Sequence, residues 1–491
     1  APQDAGSAET FTVTGLNAAT TYYFAIKTVD GAPNVSGISN VINIETLVDN
    51  NSTGSLSLRL MFDQAPSNLE IQKAALKFNK QIAYSLTLDD GLIRHYTNVF
   101  KILNGGIIED GRTMPGFYYS NGCGDSIAFK AGLAINASNI REEVFGNWFS
   151  WNNLREMYNA GWDILNHSYT HAAYNNPQYQ YEILQNTAVV LEKVGFEMTH
   201  FVIPSGDRDY YDFVFDNGMV AMYDQNFHFP GQASFSVDGE LDLTDFRLYR
   251  AGCFGNAPFN GRIDDNVYQN SINGKKYWVN EFTHNVAVDY PNGGTNVDEF
   301  IDYMSYIETN YGCKGSDIVW MAPLQEVYEY LFVREFVDYS ITVDGNVVDI
   351  VIDINNIPAK LRRKSLTLNI VSNENFNVVS TSGFANHSYK GSGSDKIINL
   401  EWLVEGYSND TIAFNSIQDL NVLSNTGASI TLNWTAPGKD SNAGTASAYD
   451  IRYSTSEITA ENFDIATQVT GIPAPQEAGS AETVTVAGLN P

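Results

Sequence analysis

Two adjacent carboxylates and two imidazoles four residues apart are the side chains in this sequence whose types and spacing could do chemistry together. The carboxylates are Asp89 and Asp90, in Ser85-Leu86-Thr87-Leu88-Asp89-Asp90-Gly91. The imidazoles are His167 and His171, in Asn166-His167-Ser168-Tyr169-Thr170-His171. Two imidazoles at this spacing can face one way on a helical turn and grip one divalent metal. Asp90 with His167 and His171 makes a His-His-carboxylate site with positions open for water and substrate. Asp89, adjacent and unliganded, is then placed to take a proton from that water. Each motif alone has a plainer reading: an N-cap and its neighbour for the Asp pair, a chance pair for the histidines. Both follow strand ends, in order, and jointly they favour the metal site.

The elements that must position these groups can be read around them. Ile82-Ala83-Tyr84 is a short apolar run of the kind a buried strand shows, and Leu92, Tyr96, Val99, Phe100 and Leu103 follow at helical spacing. Gly91 frees the backbone to turn between them. A helix over Trp148 to Ala160, closed by Gly161, leads into the strand that ends at Asn166. A second helix runs from Gln180 to Val194, closed by Gly195. Phe201-Val202-Ile203 is a strand ending at Pro204. Helices over Val297 to Tyr311 and Leu324 to Phe336 flank a strand over Asp317 to Ala322. Strand and helix thus alternate from 76 to 335, as in an α/β barrel or sheet, where sites form at the carboxyl ends of strands.

The flanks are all-β, so the fold class is multidomain, a distorted (β/α) barrel with β-sandwich domains on both sides. Residues 49–75 read as a polar connector and a leading strand at Ser55 to Phe62. Residues 336–415 read as a small sandwich, with alternating runs at Tyr339 to Val343, Val347 to Ile354, Ser365 to Val371 and Lys396 to Leu403. The ends contain a direct repeat: Ala1-Pro2-Gln3-Asp4-Ala5-Gly6-Ser7-Ala8-Glu9-Thr10 recurs as Ala474 to Thr483 with Glu477 for Asp4. The Leu16 to Asp30 stretch resembles the back half of a fibronectin type III domain, which assigns 1–48 to that half. Ser429 to Pro437 and Ala448 to Ser454 resemble the front strands, with Trp434 as core tryptophan, which assigns 416–491 to the front part. Either the chain is cut from a longer one, or the ends complement each other by packing or self-association, because a half-module exposes strand edges.

At 491 residues and a formal charge of −29, the composition argues against nucleic acid and an anionic membrane surface. No apolar run reaches the ~18 residues of a membrane span. Cys123, Cys253 and Cys313 form neither a zinc pattern nor a disulfide framework. The acidic, Asn/Ser/Thr/Gly-rich composition reads as that of a secreted or cell-surface bacterial protein.

Thr87-Leu88-Asp89-Asp90-Gly91 and His167-Ser168-Tyr169-Thr170-His171 resemble the first two motifs of the polysaccharide deacetylases (NodB homology, carbohydrate esterase family 4), over about 76–335. The resemblance implies Asp90, His167 and His171 as metal ligands and Asp89 as general base. It implies a late histidine as general acid, for which Glu281-Phe282-Thr283-His284 supplies His284; a hydrogen-bonded core or rim histidine is the rival reading. It implies a backbone amide near Ser205 as oxyanion donor. It implies zinc as the divalent metal, with cobalt, nickel or manganese as alternatives, and an acetylated polysaccharide or oligosaccharide as substrate. One departure stands out: where the family carries an arginine two residues before a proline, Phe201-Val202-Ile203-Pro204 has Val202. Arg208, Arg247 and Arg250 are the candidate replacements. The expected function is a metal-dependent deacetylase acting on N- or O-acetyl groups. The alternative is a deacetylase-like binding or adhesion protein that has lost activity. His95, His200, His228 and His387 are read as surface or hydrogen-bonded positions.

Overall fold

The computed structural model describes residues 55–174, 178–225, 234–252, 260–289, 294–358, 361–402, 417, 419–426, 429–436, 451–455, 467–469, 476 and 479–487, with the strand backbones 21–24 and 42–45. The chain forms two units, 1–140 with 163–407 and 141–162 with 408–491.

In the first unit, β1 (Ser55–Phe62) and β2 (Glu70–Lys73) precede a curled, mostly parallel sheet. Its strands are β3 (Ile82–Asp89), β4 (Gly132–Ile135), β5 (Asp163–Asn166), β6 (His200–Val202), β7 (Ala221–Asp224), β8 (Phe246–Tyr249), β9 (Tyr277–Thr283) and β10 (Val319–Met321). Every residue of β3, β4 and β5 is buried. Both faces of these strands are covered, which fits the short apolar run Ile82-Ala83-Tyr84 that opens β3.

Hydrogen bonding runs β9-β3-β4-β5-β6-β7-β8. Past β8, Ala251 and Gly252 pair with Glu281 and Phe282 of β9, so the sheet returns to its starting edge. The result fits a distorted barrel, and Arg250 occupies the residue between the two pairings. The register aligns the carboxyl ends. Thr283 lies opposite Leu88, Ala134 opposite Asp89, Ile135 opposite Asn166, and Asn166 opposite Phe201. The helix expected after Asp90 is present, but its middle, His95–Phe100, is a π turn that continues into Lys101–Asn104, a distortion that tends to occur at functional sites. The helix Tyr179–Val194 ends at Gly195, whose φ of 77° closes it in the left-handed conformation.

The sandwich has two sheets. One orders β11 (Asp338–Asp344), β12 (Val347–Asp353), β1 and β14 (Phe376–Ser382); the other orders β15 (Asn386–Lys390), β16 (Lys396–Trp402), β13 (Lys364–Val371) and β2. The stretch read from sequence as a connector with a leading strand therefore supplies two sandwich strands, which enclose the barrel segment in sequence. Leu56, Leu58, Leu60 and Phe62 of β1 point inward at period two. They pack with Val348, Ile350 and Ile352, and with Val333 and Val337 at the end of the helix Leu324–Phe336.

That helix is also the centre of a buried ionic network. Asp163, at the start of β5, accepts hydrogen bonds from the Gln325 and Glu326 amides at 2.8 and 3.2 Å and from Arg363 at 2.6 Å. Glu326 lies 3.5 Å from both Lys77 and Arg363. Burial pushes the Glu326 carboxyl up, but Lys77, Lys130 and Arg363 outweigh burial and hold it down at about 2. A depressed folded-state value means the contribution is complete above the ordinary value of 4.5 and is lost as pH falls towards 2. The expected loss is about 3 kcal/mol between pH 6 and 2. Urea unfolding across that range should show it, and Glu326→Gln should flatten the dependence; an unchanged slope in the variant refutes the assignment.

In the second unit, α1 (Trp151–Asn159) is capped by Ser150, whose hydroxyl accepts from the Asn153 amide while the Asn153 side chain accepts from the Ser150 amide. Asn421–Asn425, Ser429–Thr435 and Ala481–Ala487 form an antiparallel sheet. Trp434 is buried. Most of 1–54 lies outside the described residues, and with it the expectation that the terminal half-modules complement each other. Cys253 and His228 also lie outside them; Cys123 and Cys313 are free thiols. Among the described residues, no helix is long and apolar enough to cross a membrane.

Candidate metal centre

The end of β3 and the turn after β5 bring Asp90, His167 and His171 together. One ligand atom from each lies within 4.8 Å of the others. Asp90 Oδ1 is 3.6 Å from His167 Nε2 and 3.4 Å from His171 Nε2. The His167 Nδ1–H donates to the Val202 carbonyl at 2.8 Å, which leaves Nε2 as a bare lone pair. Burial pushes the His167 imidazole well below its usual range, so the ring is neutral, as a metal ligand must be. Asp90 Oδ1 is buried and has no hydrogen-bond partner among the described residues. Acceptor atoms facing one another with no donor between them repel. A cation removes the repulsion, and the donor set of two imidazole nitrogens and one carboxylate oxygen suits a divalent metal such as zinc.

The local backbone differs from the sequence expectation. The two histidines do not share a helical turn: residues 167–171 are irregular, and Ser168 and His171 have φ of 63° and 60°. Asp90, Tyr174 and Ser205 also have positive φ, at 80°, 56° and 53°. Such conformations cost on the order of 1–3 kcal/mol each for a non-glycine residue and persist only where surroundings enforce them. Here the enforcement is visible. Asn136 donates to the His167 and Ser168 carbonyls. Asn186 donates to Asn166 Oδ1 at 2.9 Å, and that oxygen accepts the Ser168 amide at 2.9 Å. Glu182 accepts both the Thr170 amide and its hydroxyl, at 2.7 and 2.8 Å. Asn136 and Asn186 carry no sequence signal of this role, because a buried amide supporting a turn looks like any other asparagine.

Asp89 is buried at the end of β3. Both its oxygens are held by Arg250 at 2.9 Å in a two-pronged pair, and both residues are buried. Burial raises the Asp89 carboxyl, but the charge and hydrogen bonds of Arg250 outweigh it and hold the group well below the usual carboxylate range. Of the three arginines proposed from sequence, Arg250 contacts Asp89, Arg247 lies over the Phe215 ring at 5.3 Å, and Arg208 is exposed. Val202, in the arginine's expected place, contributes its carbonyl to His167 instead. Arg250 reaches Asp89 because it sits where the sheet closes between β8 and β9.

His284 is the first residue after β9 and stands one step past the Thr283–Leu88 pairing, alongside Asp89. Its backbone carbonyl accepts a hydrogen bond from His95 Nε2. Burial pushes His95 down to about 4, so that ring is neutral. The surface-or-hydrogen-bonded reading of His95 thus resolves to a fully buried histidine that anchors the His284 segment. Ser205 lies in the turn after β6, three residues past Val202, with its carbonyl held by the Tyr174 hydroxyl at 2.7 Å.

Residues 126–214 match the family model for polysaccharide deacetylase. No curated protein matches the chain. Among solved structures, a Streptococcus pyogenes deacetylase in complex with acetate is 16% identical over 29% of this chain and 55% of its own, with a TM-score of 0.23. The Xyl-CE4 domain of a multidomain xylanase from the hindgut metagenome of Trinervitermes trinervoides is 14% identical, covers 51% of this chain and 91% of its own, and has a TM-score of 0.30. A CE4 family pseudoenzyme from Bacillus anthracis is 12% identical, covers 51% and 66%, and has a TM-score of 0.29. The chain spans about half the length of the streptococcal deacetylase it matches. The stretch that carries His167, His171 and Ser205 is thus a match to the polysaccharide deacetylase family, with Asp89, Asp90 and His284 outside the matched span.

Proposed function

We propose that this protein is a secreted, metal-dependent deacetylase that hydrolyses N- or O-acetyl groups on a polysaccharide. The observation that carries the reading is the convergence of Asp90 Oδ1, His167 Nε2 and His171 Nε2 beside an ionised Asp89. Asp90, His167 and His171 would hold the cation, zinc being the first choice. A bound divalent cation supplies Lewis acidity, which makes water usable as a nucleophile near neutral pH and polarises the acetyl carbonyl.

The chain's own residues do the rest. Asp89 accepts a proton from the attacking water, and Arg250 fixes the direction of its lone pairs. The Ser205 N–H has no hydrogen-bond partner among the described residues and serves the developing oxyanion. His284, beyond the end of β9, delivers a proton to the departing amine or alkoxide. The fibronectin-like ends and the sandwich act as spacers or adhesion modules.

The direct test is acetate release from chitooligosaccharides, acetylated xylan and peptidoglycan, with and without chelator. Release that survives complete metal removal, or no release from any acetylated glycan by the zinc-loaded protein, rejects the proposal. Asp89→Asn keeps one acceptor for Arg250 and leaves the three metal ligands intact. It should bind zinc normally and turn over on the order of 10² to 10⁴ times more slowly. The rival reading, an inactive glycan-binding relative, draws on Arg250 occupying both Asp89 oxygens. It predicts glycan binding that is indifferent to Asp89→Asn.

A further inference from the structure

We propose that Tyr174 is a positioning residue that locks the His171 turn to the Ser205 turn and so aims the Ser205 amide at the reacting carbonyl. This rests on the reading of Ser205 N–H as the oxyanion donor.

The two turns come from different strands. His171 follows β5 and Ser205 follows β6. Left to local preference, neither would hold its shape, since His171, Tyr174 and Ser205 all have positive φ. Tyr174 spans the gap with both ends of the residue. Its hydroxyl donates to the Ser205 carbonyl at 2.7 Å, and its amide donates to Asp207 Oδ2. Asp207 is buried and also accepts the Tyr179 hydroxyl at 2.9 Å and the Asp209 amide at 3.2 Å, so it does not move freely. The Tyr210 hydroxyl adds a third tie, to the Ala172 carbonyl at 2.7 Å.

Pinning the Ser205 carbonyl fixes the plane of the peptide that follows it, and a left-handed residue has few alternatives once that plane is set. Among the described residues, Ser205 N–H is left without an acceptor, as a donor reserved for a ligand should be. The Tyr174 side chain is itself 60% exposed, so its ring contributes little burial that would explain its place. What it contributes is the hydroxyl, which holds the Ser205–Gly206 peptide next to the donor, while the donor's own peptide is held at the Pro204 carbonyl by the Asp207 amide at 3.0 Å.

The test is Tyr174→Phe, which removes that hydroxyl from an exposed ring and leaves the fold its shape. In the zinc-loaded protein, kcat on an acetylated saccharide should fall about tenfold while KM stays within about twofold, since a misaimed donor is felt mainly in the transition state. Bound zinc per chain should not change. The second readout is acetate itself, whose carboxylate offers an oxygen to the same donor. By calorimetry, its dissociation constant should rise about five- to tenfold in the variant. Equal kcat and equal acetate affinity in an active protein overturn the role of Tyr174 and leave the deacetylase reading standing. An inactive wild-type protein whose acetate affinity still drops in Tyr174→Phe sinks the deacetylase reading and keeps the lock. Loss of zinc or a parallel rise in KM marks a structural role and also overturns the proposal.

Discussion

Asp90→Ala is expected to remove metal binding and acetate release together. The carboxylate is the only anionic member of the three-ligand set, and its Oδ1 faces both imidazole Nε2 atoms at 3.4 and 3.6 Å. Two imidazoles alone leave a cation with two of its three protein ligands and none of its charge compensation. Loss of an outer partner typically costs 10–100-fold in metal affinity, so loss of this ligand should exceed about 100-fold. The effect can be read without any substrate. Zinc at a hundred times its dissociation constant stabilises a folded chain by about 2.7 kcal/mol, which appears as a rise in melting temperature. The wild-type protein should show that rise, and Asp90→Ala should show none at the same zinc concentration. Because Asp90 adopts φ of 80°, a conformation alanine tolerates poorly, Asp90→Asn is the companion variant. It keeps the backbone preference and removes the charge, and it should also lose the zinc-dependent rise. Full activity in either variant would remove the basis for the metal site.

The second large effect is expected at Arg250. It is wholly buried, and its two terminal nitrogens hold both oxygens of buried Asp89. Arg250→Met fills a similar volume but strands a carboxylate in the barrel interior. Removing one partner of a buried pair costs about 3–5 kcal/mol, because the remaining charge has neither water nor a counter-ion. Burial, no longer opposed by the guanidinium, pushes the Asp89 carboxyl up, so the group stays protonated and cannot accept a proton from water. Stability and turnover should therefore fall together. Arg250→Lys should recover only part of each, since an ammonium cannot span both oxygens. The double variant Arg250→Met with Asp89→Asn should regain much of the stability lost in Arg250→Met, because it no longer buries an unpaired charge. Urea unfolding of wild type, Arg250→Met, Asp89→Asn and the double variant makes a closed cycle. If Arg250→Met unfolds at the same denaturant concentration as wild type, the pair does not hold Asp89 as described.

How much of this could be read in the chain before it folded depends on distance along the sequence. Asp89-Asp90-Gly91 and His167 to His171 are compact motifs, and the strand feeding the first opens on a short apolar run, Ile82-Ala83-Tyr84. So the cluster of Asp90, His167 and His171 and the α/β order of 76–335 were legible, as were the helix end at Gly195 and the strands with period-two alternation. The two sandwich strands ahead of the barrel were less so. Ser55–Phe62 showed its alternation, but nothing local says that it pairs with Val347–Asp353 nearly three hundred residues on.

The site's supporting groups were decided by the tertiary structure alone. Arg250 could be shortlisted but not chosen, because its access to Asp89 follows from the sheet closing between β8 and β9. His95, Asn136, Asn186 and Tyr174 gave no signal, since each acts through a backbone carbonyl or a side-chain amide on a distant element. The His171 turn was expected to be helical, because i and i+4 spacing is what sequence can see. Tertiary hydrogen bonds to Glu182 and Asn136 hold it in a conformation that local preference disfavours. Sequence determines which atoms are available to a metal and roughly where strands end. Only long-range pairing, in which charges buried together must compensate each other, determines which of those atoms face each other and what holds them there.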